Sequence, residues 1–70
     1  MNEATLKVTV NGEAKRVERG TVRELLGSLG YPERGVAVER NRRVVPHAEL
    51  TATAVAEGDV FEVVSLVGGG

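Results

Sequence analysis

The sequence predicts an α+β domain, a mixed sheet of four to five strands packed on one short helix. Three observations lead there. An alternating segment over residues 6–10 runs directly into Asn11-Gly12. A single stretch of helical period, residues 22–29, opens on a capping pattern. A strongly apolar run, Val60-Phe61-Glu62-Val63-Val64-Ser65-Leu66-Val67, reads as a strand near the end of the chain.

In the first strand Leu6, Val8 and Val10 alternate with Lys7 and Thr9, the period of a half-buried strand. Asn-Gly at the turn suits a type I′ hairpin, which needs positive φ at both centres. Glu13 to Glu18 form the returning strand. Its charged side chains suit an edge that must not pair with other chains. Val17 is its core candidate.

Gly20 breaks that strand, and Thr21 stands three residues before Glu24, a capping box. Val22, Leu25, Leu26 and Leu29 make one apolar helix face. Gly30 suits the left-handed residue that ends a helix, and Pro32 prevents an immediate restart. Two turns are too few to hold alone, so the helix must pack on the sheet. Gly27 within it costs about 0.5–1 kcal/mol relative to Ala.

Val36 and Val38 begin a third strand, Arg40-Asn41-Arg42-Arg43 reads as a polar turn, and Val44-Val45 as a short fourth strand closed by Pro46. Residues 47–56 show no period; Leu50 and Val55 are expected to anchor this crossover. Glu57-Gly58-Asp59 is a turn signal. In the last strand Val60, Glu62, Val64 and Leu66 should face water, with Phe61, Val63, Ser65 and Val67 beneath the helix. Leu6, Val8, Val10, Leu25, Leu26, Val38, Phe61 and Val63 form the expected core. A hairpin, one helix and a last strand lying central and parallel to the first satisfy this order. That arrangement is the β-grasp, the ubiquitin architecture.

Composition narrows the function. Seventy residues with a net charge of −1 make one domain without the basic excess that nucleic-acid binding requires. Arginines 40, 42 and 43 read as a solvated turn. The absence of cysteine removes disulfides, thiolate zinc sites and a cysteine nucleophile. His47 follows Pro46 in a polar stretch and has no triad partner in view, so no catalytic residue and no metal site is expected. Gly27, Gly30 and Gly35 lack the spacing of a phosphate loop. No stretch approaches the roughly 20 apolar residues of a membrane span, and Met1-Asn2-Glu3-Ala4 does not resemble a signal peptide. The expectation is a cytoplasmic protein with no membrane partner.

Gly68, Gly69 and Gly70 follow the last strand, so the chain divides into a domain over residues 1–67 and a flexible glycine tail over 68–70. Taken alone, such a tail reads first as a frayed terminus. Glycine has no Cβ, so this backbone can thread a narrow channel and deliver a carboxylate into another protein. Val64 and Leu66, exposed beside it, are the expected partner-docking residues.

The chain resembles the ThiS family of sulfur carrier proteins. The likeness is carried by Val10-Asn11-Gly12, Thr21-Val22-Arg23-Glu24-Leu25-Leu26, Val38-Glu39-Arg40-Asn41, Val44-Val45-Pro46, Gly58-Asp59, the apolar last strand and Gly69-Gly70. Where many relatives have another small residue before the final glycines, this chain has Gly68. The resemblance implies a carrier and co-substrate that is not itself an enzyme and binds no cofactor. In such proteins an E1-like, ThiF-like enzyme uses ATP to adenylate the terminal carboxylate, here that of Gly70. A sulfur donor such as a cysteine desulfurase then supplies the sulfur of a thiocarboxylate. A ThiG-like thiazole synthase receives that sulfur for the thiazole ring of thiamin. Gly68 and Gly69 would thread the partner's channel. Three alternatives stay open: a ubiquitin-like modifier joining Gly70 to lysines, a sulfur carrier for molybdopterin or tRNA thiolation, and an interaction module without covalent chemistry.

Overall fold

A computed structural model of the chain describes residues 5–66. The glycine tail and Val67 lie outside the described residues. Along the chain run β1 (Thr5–Val10), β2 (Glu13–Glu18), α1 (Val22–Ser28), β3 (Val36–Arg40), β4 (Arg43–Val44), a 3-10 turn (His47–Glu49) and β5 (Val60–Ser65). They form a five-stranded sheet in the order β2-β1-β5-β3-β4. β1 and β5 are central and parallel, in register Thr9↔Val60 and Val10↔Phe61. The other pairings are antiparallel. This is the expected β-grasp connectivity.

Both hairpins turn through two residues of positive φ: Asn11 (50°) with Gly12 (85°), and Asn41 (53°) with Arg42 (72°). Arg42 thus occupies a left-handed conformation that side chains disfavour. The turn residues proper are Asn41 and Arg42, because Arg40 ends β3 and Arg43 begins β4. The fourth strand lies one residue earlier than the expected Val44-Val45, and Val45 packs partly buried against the core.

The helix is fully capped. Thr21 Oγ1 accepts from Glu24 N (3.2 Å) and Glu24 Oε1 accepts from Thr21 N (2.9 Å). The two remaining free amides of the first turn donate into the crossover, Val22 N to Thr53 O (2.9 Å) and Arg23 N to Leu50 O (3.0 Å). So the helix start also pins residues 47–56, which would otherwise lack ladder partners. At the other end Gly30 (φ 90°) donates to Gly27 O and Tyr31 N to Leu26 O, a Schellman closure that returns Tyr31 to the core.

All eight expected core residues are buried in one cluster, joined by Val17, Val22, Leu50 and Val55. Leu26 and Phe61 are fully enclosed where helix meets central strand. Ser65 departs from expectation: it has the core-facing parity of β5 but is exposed, because it lies at the end of the strand. Among the described residues no helix is long and apolar enough to cross a membrane.

Candidate functional site: the last strand and its open face

β5 is the last strand before Gly68–Gly70 in the sequence. Its N-terminal end is held by a buried carboxylate. Asp59 Oδ2 accepts from Arg40 Nε (2.9 Å) and Ala56 N (2.8 Å), and Oδ1 accepts from Asn41 Nδ2 (3.0 Å). Burial by itself would raise this carboxyl, but the three donors and the Arg40 charge outweigh it and hold Asp59 below its ordinary range. Asn41 completes the junction: its Oδ1 accepts from Val60 N (2.9 Å), while its own N donates to Val60 O (2.7 Å).

The middle of β5 is held from the other side. β1 ends at Val10, but Asn11 Oδ1 accepts from Val63 N (2.7 Å) and Asn11 Nδ2 donates to Val63 O (3.2 Å). The side-chain amide thereby acts as one further peptide unit of β1. Asn11 Nδ2 also donates to Tyr31 Oη (3.3 Å), which ties this junction to the helix C-terminus.

The helix covers one face of the sheet; the other is open. Val64 and Leu66, expected to be exposed, are 55% and 64% accessible. Val60 (45%) and Val44 (69%) join them on that face. Register explains the grouping, because directly opposed residues point the same way. Ala37 opposes Val64, Glu39 opposes both Glu62 and Val44, and all lie on the open side.

Several contributors were not legible beforehand. Asp59 read only as part of a turn, Asn11 only as a turn former, and Arg40 only as a solvated charge. His47 is exposed on its 3-10 turn, as expected of a surface histidine. Among the described residues no group of His, Cys, Asp and Glu side chains could hold a metal ion. What this site offers is a strand held by side-chain hydrogen bonds from Asn41 and Asn11, with an exposed apolar face.

The comparison with known families bears on that arrangement. The ThiS family model matches residues 8–70, nearly the whole chain, and continues through Gly69 and Gly70. The chain belongs to the ThiS family. This ThiS-family chain is 38% identical to the sulfur carrier protein ThiS of Thermus thermophilus, over 90% of its own length and 98% of that relative's. The crystal structure of the thiamine biosynthesis protein ThiS from Geobacter metallireducens superposes with a TM-score of 0.78 at 36% identity, covering 93% of this chain and all of the other. The chain is also 44% identical to part of the thiazole synthase of Paramagnetospirillum magneticum. That alignment takes 93% of this chain but spans only about a fifth (20%) of the synthase. A thiazole synthase of Magnetococcus marinus matches over the same shares.

Proposed function

We propose that this chain is a sulfur carrier of thiamin biosynthesis and that Gly70 carries the sulfur. The observation that supports this most is the family match through Gly70, together with the near full-length likeness to a ThiS sulfur carrier. A carboxylate is a poor acyl donor because its leaving group would be oxide. An E1-like enzyme attaches the Gly70 carboxylate to the α-phosphorus of ATP, releasing pyrophosphate. The terminal sulfur of a persulfide supplied by a cysteine desulfurase then attacks the acyl carbon. The C–O bond to AMP breaks as the C–S bond forms, and an acyl disulfide results. A thiol reductant cleaves its S–S bond and is itself oxidised to a disulfide, leaving the thiocarboxylate on Gly70.

The carrier's part in this chemistry is presentation. Gly68 and Gly69 cross a channel too narrow for a Cβ, while Val64 and Leu66 dock against the enzyme's rim. The acceptor is thiazole synthase. The alignment of most of this chain with part of two proteins named thiazole synthase supports that partner, since carrier-like and synthase segments share one polypeptide there.

The test is the intact mass of the protein purified from its own host. A species heavier by the difference between sulfur and oxygen, located on Gly70 by fragmentation, is the expected result. A chain recovered only with an ordinary carboxylate while thiazole synthesis is running would remove this reading. Gly70 joined to lysines of other proteins would replace it with the modifier.

A further inference from the structure

The open face contains an arrangement that does nothing for the fold. Glu39 and Glu62 are directly opposed across β3 and β5. The neighbouring pair Ala37↔Val64 and the residues Val44 and Val60 surround them with apolar side chains. Among the described residues neither carboxylate has an ion-pair partner. Like charges directly opposed on a sheet are destabilising, and among the described residues no cation lies within ion-pair distance to offset them. The basic residues on the same face, Lys7 and Arg16, oppose one another on β1 and β2; β1 lies beside β5, but its pairing of Thr9 with Val60 leaves Lys7 displaced along the strand from Glu62.

We infer that this face docks an apolar protein surface carrying an arginine or lysine, and that the cation enters between Glu39 and Glu62. This rests on the carrier reading, and the occupant is the adenylating enzyme. Two features select it. An acidic pair set in a ring of valines is complementary to a cation set in an apolar surface, and a purely apolar partner would bury both carboxylates uncompensated. The face also continues along β5 through Val64 to Leu66, toward the tail the enzyme must engage. The valines supply contact area, and the glutamates select the partner and its register.

The probe is the cognate adenylating enzyme. Its binding to the intact chain is measured by calorimetry against salt concentration, and its turnover by pyrophosphate release. The Glu39→Gln/Glu62→Gln double variant keeps the shape and removes the charges. It should keep or raise the denaturation midpoint, weaken binding on the order of tenfold at low salt and flatten the salt dependence. KM should rise while kcat stays, because the tail is untouched. Glu62→Lys should be worse than Glu62→Gln. Equal affinity of the wild-type chain and the double variant would overturn the inference. If the wild-type chain nevertheless carried a thiocarboxylate, the carrier reading would stand. A concentration-dependent dimer abolished by the same substitutions would also overturn it, assigning the face to a second copy. A wild-type chain that neither bound the enzyme nor carried sulfur would overturn both readings.

Discussion

Asn11 binds Val63 through both atoms of its side-chain amide, accepting from the Val63 N–H at 2.7 Å and donating to its carbonyl at 3.2 Å. The two residues are 52 positions apart in sequence. β1 must leave the sheet at Asn11 to make its hairpin, whereas β5 continues. The side chain bridges that mismatch and keeps the outgoing half of β5 from fraying on its β1 side.

Asn11→Gly separates the two roles of this residue. Glycine accepts the positive φ of the turn but leaves the part-buried Val63 amide without its acceptor. A loss of about 1–3 kcal/mol is expected. Hydrogen exchange should quicken at Val63 more than at Val8. Protection at Val63 equal to that of the native chain would show that the bridge carries no load.

Asp59 gives stability a pH dependence of known sign. Its folded-state value is depressed, so it contributes fully above the ordinary value of 3.8, and that contribution is lost as pH falls through the lower folded value. Acid titration of the native chain should therefore show a loss of stability beginning below about 3.8. Asp59→Asn should cost about 1–3 kcal/mol at neutral pH, since the amide mispairs with Arg40 or Ala56. Its stability should fall less steeply in acid. Parallel acid curves for the two proteins would refute the assignment.

Two helix substitutions should act in opposite directions. Leu26 is completely enclosed, and Leu26→Ala should cost about 2–5 kcal/mol. Gly27 is exposed, and a Cβ there meets nothing within 4 Å. Gly27→Ala should stabilise by about 0.5–1 kcal/mol through helix propensity. Chemical denaturation at equal slope checks both; destabilisation by Gly27→Ala would mean that its backbone freedom matters elsewhere.

Val64→Asp and Leu66→Asp place a charge on side chains that already face water, so the denaturation midpoint should stay within about 0.5 kcal/mol of the native chain. Binding to the adenylating enzyme should weaken, because the charge is buried on docking. Unfolding of either variant would put those side chains in the core.

Deleting Gly70 shortens the tail by one residue, at most about 3.6 Å of extended chain. Reacting atoms must approach to about 3–3.5 Å, and a 1 Å misplacement can cost roughly 100-fold in rate. Pyrophosphate release by the adenylating enzyme should therefore fall at least that far. Normal turnover would leave only an interaction module.

What the amino-acid order determined by itself was everything set by near neighbours. The alternation of Leu6, Val8 and Val10, the Asn11-Gly12 turn, the Thr21 to Glu24 capping box and the Gly30 stop each depend on contacts within a few residues. The β-grasp connectivity followed from their order, and the parity of β5 identified Val64 and Leu66 as exposed. What tertiary structure decided was how distant segments meet. Asn41 and Asp59 are 18 residues apart, and Arg40 changes from a turn charge to the partner of a buried carboxylate only once β3 lies beside β5. The opposition of Glu39 and Glu62 likewise exists only at the register Val36↔Ser65 through Arg40↔Phe61, and a slip of one residue would dissolve it. A local turn fixes the register of the hairpin it closes, but the register between β3 and β5, joined by a long connection, is set only when their apolar faces pack together against the helix.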